Sequence, residues 1–241
     1  VTASQRIRWL FKPAVFVAAL VPAVLLSERL TSGDLGADPL AEITSETGLW
    51  ALRFLAATLA ITPVRRLSGW DSLIRFRRMI GLFAFFYGLL HLAIFVVADR
   101  LASLGFPSPL SWLTIRDLSV SIAGEVYKRP YIAVGFASWL IMFALAITST
   151  TGMIRRMGGR RWQALHRLVY VAVVAGVVHY WWSVKADVRD PRAYAIVVGV
   201  LLMFRLVSGT RKHAAQSPRS IARPAPNRVS TVPVARKPHA T

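Results

Sequence analysis

The sequence contains no cysteine. This excludes disulfides, thiolate metal sites, iron–sulfur clusters and covalent c-type haem attachment, so any metal or cofactor must be held non-covalently or by histidine and oxygen ligands. Carboxylates are scarce as well: 11 Asp and Glu stand against 30 Lys and Arg, for a net charge of +19. None of the 11 falls inside the apolar stretches set out below, which counts against a transporter built on intramembrane carboxylates or broken helices. Nothing after Val207 resembles a dinucleotide fold, and that region has no G-x-G-x-x-G motif. There is no internal repeat.

What the chain has in quantity is apolar residues. It is 55% hydrophobic with a mean hydropathy of +0.49, too apolar for a soluble domain of 241 residues, and this points to a membrane protein. Six stretches approach the roughly 20 residues that a bilayer core requires. They run over Trp9–Leu26, Leu49–Thr62, Met79–Ala98, Tyr131–Thr148, His166–Val184 and Ala193–Val207. The second and sixth are short, so either their ends extend or the bilayer thins around them. The first follows Arg6, Arg8 and Lys12 but leads to no clean small-x-small cleavage site; it is read as an uncleaved helix, with Pro13 and Pro22 as candidate kinks.

The charges alternate between connections. Glu28, Asp34, Asp38, Glu42 and Glu46 cluster after the first stretch, and Arg65, Arg66, Arg75, Arg77 and Arg78 after the second. Continued along the chain, the pattern puts 20 of the 30 basic residues on one side and all the acids but Asp71 on the other. By the positive-inside rule both termini are cytoplasmic and the acidic loops lie outside. The +19 charge is then a matter of topology and calls for no nucleic acid. The connection from Asp99 to Pro130 suits a short amphipathic helix on the outer surface, with Trp112 and Tyr127 at the interface. The chain thus divides into a six-helix transmembrane domain, 1–208, and a Pro-, Ser- and Arg-rich tail, 209–241, expected to be disordered, cytoplasmic and able to touch anionic lipid.

Three histidines fall within or at the edge of the spans. His91 and His179 both lie in the outer halves of stretches that run from inside to outside, so they can face each other at one level. His166 sits at the inner edge of the fifth stretch, level with Arg77 and Arg78. An intramembrane imidazole is costly and marks function by default. The spacings, 14 residues from Arg77 to His91 and 13 from His166 to His179, each correspond to about 20 Å of helix. Two stacked macrocycles at that separation would carry electrons across the bilayer. A haem held by two imidazoles is an electron-transfer site, since it keeps no open position for substrate. Arg77 and His91 share a helix face, whereas His166 and His179 lie about 220° apart on an ideal helix. Either the fifth helix is distorted, with Gly176 a candidate position, or two cofactors sit against different sides of it. His213 and His239, in the tail, play no part in this scheme.

The segments RRMIGLFAFFYGLLH, KRPYIAVG, AITSTTGMIRRMG, RRWQALHRLVY and VVHYWWSVK resemble the MsrQ (YedZ) family, haem-binding membrane subunits of bacterial periplasmic protein-methionine-sulfoxide reductase systems. The resemblance runs from Arg6 to Arg205 and extends to ferric reductase and NADPH oxidase transmembrane domains, which hold two b-type haems between their third and fifth helices. It implies an all-α, six-helix bundle of the ferric reductase-like type. It also implies that His91 and His179 ligate an outer haem b and that His166 ligates an inner one. The oxidases carry a histidine where this chain has Arg77, and a guanidinium is a poor iron ligand. The inner site is therefore open between a weakly held or five-coordinate haem and a flavin such as FMN, with Arg77 a candidate for the inner group and Arg53 for an outer propionate. The implied role is an electron-transfer subunit rather than the catalytic one. Electrons would come from a cytoplasmic flavin reductase or quinol and go to a periplasmic molybdenum-containing methionine-sulfoxide reductase. The rival readings are a stand-alone ferric reductase and, further off, a six-helix metal transporter.

Overall fold

The computed structural model describes residues 3–97, 112–184 and 187–215. After a helical turn and a π turn over Ile7–Phe11, the long helices are α1 (Lys12–Ser32), α2 (Pro39–Ser68) and α3 (Arg77–Ile94). There follow α4 (Trp112–Lys128), α5 (Pro130–Ile147), the short α6 (Thr151–Met157) and α7 (Gly159–His166), then α8 (Val169–Ser183) and α9 (Arg189–Ala215). Six of the helical segments, 18 to 30 residues in length, are long and apolar enough to cross a membrane, and the chain is a multi-pass membrane protein.

The second and sixth spans are longer than hydropathy suggests. In α2 the start is set by Asp38, whose carboxylate accepts from Ala41 N at 3.0 Å, with Pro39 in the first turn where its missing N–H costs nothing. The helix stops at Gly69, which takes a left-handed φ of 69°. It therefore absorbs Glu42 and Glu46 from the acidic connection and Arg65 and Arg66 from the basic one, and no thinning of the bilayer is needed. Its threonines stay satisfied by bonding back one turn, Thr44 Oγ1 to Leu40 O at 2.7 Å and Thr47 Oγ1 to Ile43 O at 2.8 Å. With 30 residues counted from Pro39, Arg53 lies at the midpoint of the helix and not near its outer end. The last helix runs on to Ala215, past Ser208 where its apolar span ends.

The fifth span is interrupted, but not at Gly176, which lies in regular helix. The break falls at Arg167 and Leu168, directly after His166. There the bonds Leu168 N to Leu165 O (2.9 Å) and Tyr170 N to Arg167 O (3.0 Å) wind the chain into a tighter, three-residue turn. Tightening adds about 20° per residue over an α-helix, which brings His166 nearer to the face that carries His179.

The core forms where α2, α3, α5, α8 and α9 meet, around Leu59, Ala84, Met142, Val173 and Val198. Small residues let the backbones approach. A Cβ added to Gly88 of α3 would lie 2.9 Å from Met142 Cε of α5, and buried Ser138 donates to Ala172 O across the α5–α8 seam at 2.8 Å. Helix α4 packs on α5, with Tyr127 90% exposed. The side chain of Trp112, residues 99–111 of the expected surface segment, Lys185 and the tail from 216, including His239, lie outside the described residues, as does the side chain of His213.

Helix α1 packs at the edge of the bundle, and one buried hydroxyl fixes it. Tyr87, fully buried, donates to Ala19 O at 2.8 Å and accepts from Ala23 N at 3.1 Å, on the turn where Pro22 has removed an N–H. A Tyr87→Phe variant is expected to lose about 1 kcal/mol of stability, read as a lower thermal midpoint in detergent, with α1 more open to protease than in the parent protein.

Candidate functional site

His91 of α3 and His179 of α8 come together as expected from their depth. Their ring centroids are 6.0 Å apart with the planes at 80°. Each ring is held by a neighbouring helix in the same way. His91 Nδ1 meets Thr44 O of α2 at 2.8 Å, and His179 Nδ1 meets Tyr131 O of α5 at 2.7 Å. Four residues beyond each acceptor stands a glycine, Gly48 after Thr44 and Gly135 after Tyr131. A Cβ on Gly48 would lie 3.1 Å from His91 Nδ1, and one on Gly135 only 2.5 Å from His179 Nδ1. The carbonyl of residue i and a bare glycine at i+4 thus form a notch in which an imidazole lies against a helix backbone and donates to it.

The consequence is chemical. A carbonyl only accepts, so each Nδ1 carries the proton and each Nε2 keeps its lone pair available to a metal. This is how metal-ligating histidines are oriented and made more basic. With metal–nitrogen bonds of about 2 Å, two imidazoles on opposite sides of one ion have centroids about 6 Å apart, the separation found here. Among the described residues no third His, Cys, Asp or Glu joins the pair into a metal-binding group. Such a pair suits an ion whose other ligands come with it, as in a macrocycle, better than a bare metal ion. The residues present therefore fit a haem bound through two axial imidazoles.

The inner end is built differently. His166 closes α7, with Nδ1 3.1 Å from Trp162 O and its ring stacked on the Trp162 indole at 3.9 Å between centroids. Trp162 Nε1 donates to Thr148 O at 2.9 Å, so the indole is held in place beneath the imidazole. Ser149 Oγ stands 3.4 Å from His166 Nε2. Arg77 does not stand opposite as a ligand: it lies beside Tyr170 and Arg205. Arg205 Nη1 donates to Tyr170 Oη at 2.5 Å, while its Nη2 reaches Leu59 O at 3.1 Å and Thr62 Oγ1 at 3.0 Å. Arg205 Nε is buried without a partner. Two half-buried guanidiniums thus lie beside one phenol, and no carboxylate is described as pairing with either. The cluster suits an anionic group.

Arg53 is turned away from the histidine pair. It sits five residues after Gly48, about 140° around α2, with Nε on Tyr194 Oη at 2.9 Å and Cζ 4.5 Å from the Trp50 ring centroid. Sequence reasoning found the three histidines and Arg77, counted Tyr170 among the aromatic surroundings and Trp162 as an interface residue, and passed over Gly48, Gly135 and Arg205. The i, i+4 carbonyl–glycine register beside each outer histidine is the signal that pointed to the first two.

Six apolar spans with two imidazoles brought together between the third and fifth define a membrane domain of the ferric reductase type. The model of that family, the ferric reductase like transmembrane component, matches residues 47–177, a region that takes in Gly48, His91, Gly135 and His166 and ends two residues before His179. Curated relatives are similar over most of their length. A Rhodospirillum rubrum protein is 47% identical over 199 residues, covering 83% of this chain and 88% of its own. A Xanthomonas oryzae protein is 48% identical over 200 residues (80% and 84%), and one from Herminiimonas arsenicoxydans 44% over 207 (85% and 88%). Each is named as the heme-binding subunit MsrQ of protein-methionine-sulfoxide reductase. The chain belongs to the MsrQ family of ferric reductase-like transmembrane proteins.

Tyr170→Phe removes the phenol oxygen to which Arg205 donates. It is expected to destabilise by about 1–3 kcal/mol, more than Tyr180→Phe, when thermal unfolding of the two variants is compared in the same detergent.

Proposed function

We propose that the chain is a cytochrome b that carries electrons across the bacterial inner membrane, both termini cytoplasmic, to a periplasmic methionine-sulfoxide reductase catalytic subunit containing molybdenum. It serves as the electron-transfer subunit of that system in the repair of oxidised proteins. The observation that carries this reading is the His91–His179 pair, 6.0 Å apart, with each Nδ1 committed to a helix carbonyl. The relatives' printed name, a heme-binding subunit, agrees with it.

A haem b held by His91 and His179 would supply one-electron transfer and leave no open position for substrate. The protein's part is to hold the two Nε2 atoms in place, keep their protons on Nδ1, and surround the site with apolar side chains that exclude water. At the inner end His166, steadied by Trp162, supplies one ligand for a second haem, or a flank for FMN. Arg77, Arg205 and Tyr170 hold the anionic group of either, a propionate or a phosphate. Arg77 and His91 are separated by 14 residues of one helix, about 21 Å, which places the two sites near opposite faces of the membrane. The donor on the cytoplasmic side is a flavin reductase; a quinol in the membrane is the other candidate. The basic residues after Ser208 form a cytoplasmic extension in contact with anionic lipid.

Purified protein is expected to show a Soret band that shifts on dithionite reduction, and His91→Ala or His179→Ala to lose the outer haem. A colourless preparation from haem-replete cells would contradict the proposal. A finer test comes from the glycines. Gly135→Ala forces His179 off its carbonyl and is expected to abolish or strongly lower outer-haem occupancy. Gly48→Ala, with a looser contact of 3.1 Å, is expected to shift the reduction potential with less loss, and Gly176→Ala, whose nearest neighbour is 3.6 Å away, to behave as the parent. Equal haem content in all three would show that the notches do not position the ligands.

A further inference from the structure

Near the turn from α1 into α2, the two helices enclose a cavity of about 210 Å³ lined by Pro22, Leu25, Leu26, Arg29, Glu46 and Trp50. It is separate from the histidine pair. Glu46 is two residues from both Thr44 and Gly48, which puts it on the opposite face of α2 from His91. The α1 wall borders the lipid, for Leu25 is 51% exposed on the outside of the bundle. Arg29 lies within a turn of the end of α1 at Ser32, whereas Pro22 lies ten residues from it, about 15 Å. The slot therefore starts near the membrane interface and runs into the hydrocarbon.

The charged groups on its walls are incompletely used. Glu42, at the mouth, is satisfied: it accepts from Arg29 and from Gly36 N at 2.9 Å. Arg29 commits only Nη2 to that pair, and among the described residues its other side-chain N–H groups meet no acceptor. Glu46 approaches Arg53 only to 3.8 Å, beyond hydrogen-bond range, and among the described residues its carboxylate accepts no hydrogen bond. A half-buried carboxylate in that condition beside an apolar slot is costly and calls for a donor. The walls thus ask for a cation that can donate, an anion that can accept, and an apolar tail on the same molecule.

We propose that this slot binds one phosphatidylethanolamine and that the lipid joins α1 to α2. Its ammonium donates to Glu46, its phosphate accepts from Arg29, and an acyl chain follows Pro22, Leu25 and Leu26 into the bilayer. A phosphatidylglycerol head brings negative charge and no cation to a site whose open group is a carboxylate. A choline head has no N–H to give Glu46. The lipid adds a third fastening to α1, beside the Tyr87 hydroxyl and the Arg29–Glu42 pair. The inference does not depend on what His91 and His179 bind.

The test uses the full chain, purified in detergent with the cofactor it carries. Native mass spectrometry counts the lipid retained, and thermal unfolding is followed as phosphatidylethanolamine, phosphatidylcholine or phosphatidylglycerol of one acyl composition is added. The parent is expected to retain phosphatidylethanolamine and to gain thermal stability from it in a saturable way, as with any ligand of the folded state, and to do so more than with the other two. Glu46→Gln is expected to require about tenfold or more lipid for the same gain, as loss of a charge-assisted hydrogen bond implies. Leu25→Trp, which fills the slot, should abolish the gain. Val24→Trp, at a position 62% exposed but absent from the cavity wall, should behave as the parent. The parent's lipid preference decides even where a variant fails to fold: equal retention of the three lipids, or preference for phosphatidylglycerol, overturns the proposal. So does phosphatidylethanolamine binding that is unchanged in Glu46→Gln.

Discussion

A hydrogen bond from a histidine Nδ1–H to a helix carbonyl, made possible by a glycine one turn on, is the interaction from which the rest of this molecule follows. Inside a membrane every backbone carbonyl already has a helical partner, and an imidazole N–H left without an acceptor there is expensive. A carbonyl has a second lone pair, but an ordinary side chain at i+4 covers it. Gly48 and Gly135 uncover Thr44 O and Tyr131 O, so two helices that carry no ligands, α2 and α5, set the orientation of the ligands on α3 and α8. The four helices must then hold a fixed register. That is what the Ser138–Ala172 bond, the Gly88–Met142 contact and the leucine and alanine core of α2 maintain.

The two ends of the bundle solve different problems. The outer end places two imidazole rings close together with their planes nearly perpendicular. The inner end offers one imidazole, stacked on Trp162, and a pair of guanidiniums around Tyr170. Such an arrangement concentrates positive charge beside His166 and suits an anionic group. The tightened turn at Arg167 and Leu168 serves this asymmetry, because it lets one span present His166 and His179 more nearly to the same interior.

Most of the fold was legible in the sequence, because hydropathy and charge act over whole segments. Six spans, the surface helix before Pro130 and the matched depth of His91 and His179 follow from periodicity and the alternation of Arg with Glu and Asp. The ends of α2 were not, since Asp38 and Pro39 begin a helix that hydropathy alone starts ten residues later, and this misplaced Arg53. A distortion of the fifth span was one of two readings that the helical angle left open, with Gly176 as its candidate position, and the actual break was not located, for Arg167 and Leu168 carry no proline or glycine to mark it. At the site the pairing of His91 with His179 was legible and the groups that hold each ring were not. Gly48 and Gly135 look like ordinary packing glycines until the ring lying on each is seen, and Arg205 reads as the start of a basic tail although its guanidinium reaches back to Leu59 and Thr62.

The central claim is that His91 and His179 are the two axial ligands of one haem, held with their planes near perpendicular, 80° in the structure. Low-temperature electron paramagnetic resonance of the oxidised, purified protein tests it most directly. The expected result is a highly anisotropic low-spin ferric signal, the signature of two imidazoles with crossed planes, present in the parent and absent from both His91→Ala and His179→Ala. A spectrum that is high-spin only, or a low-spin signal that survives either substitution, would contradict it.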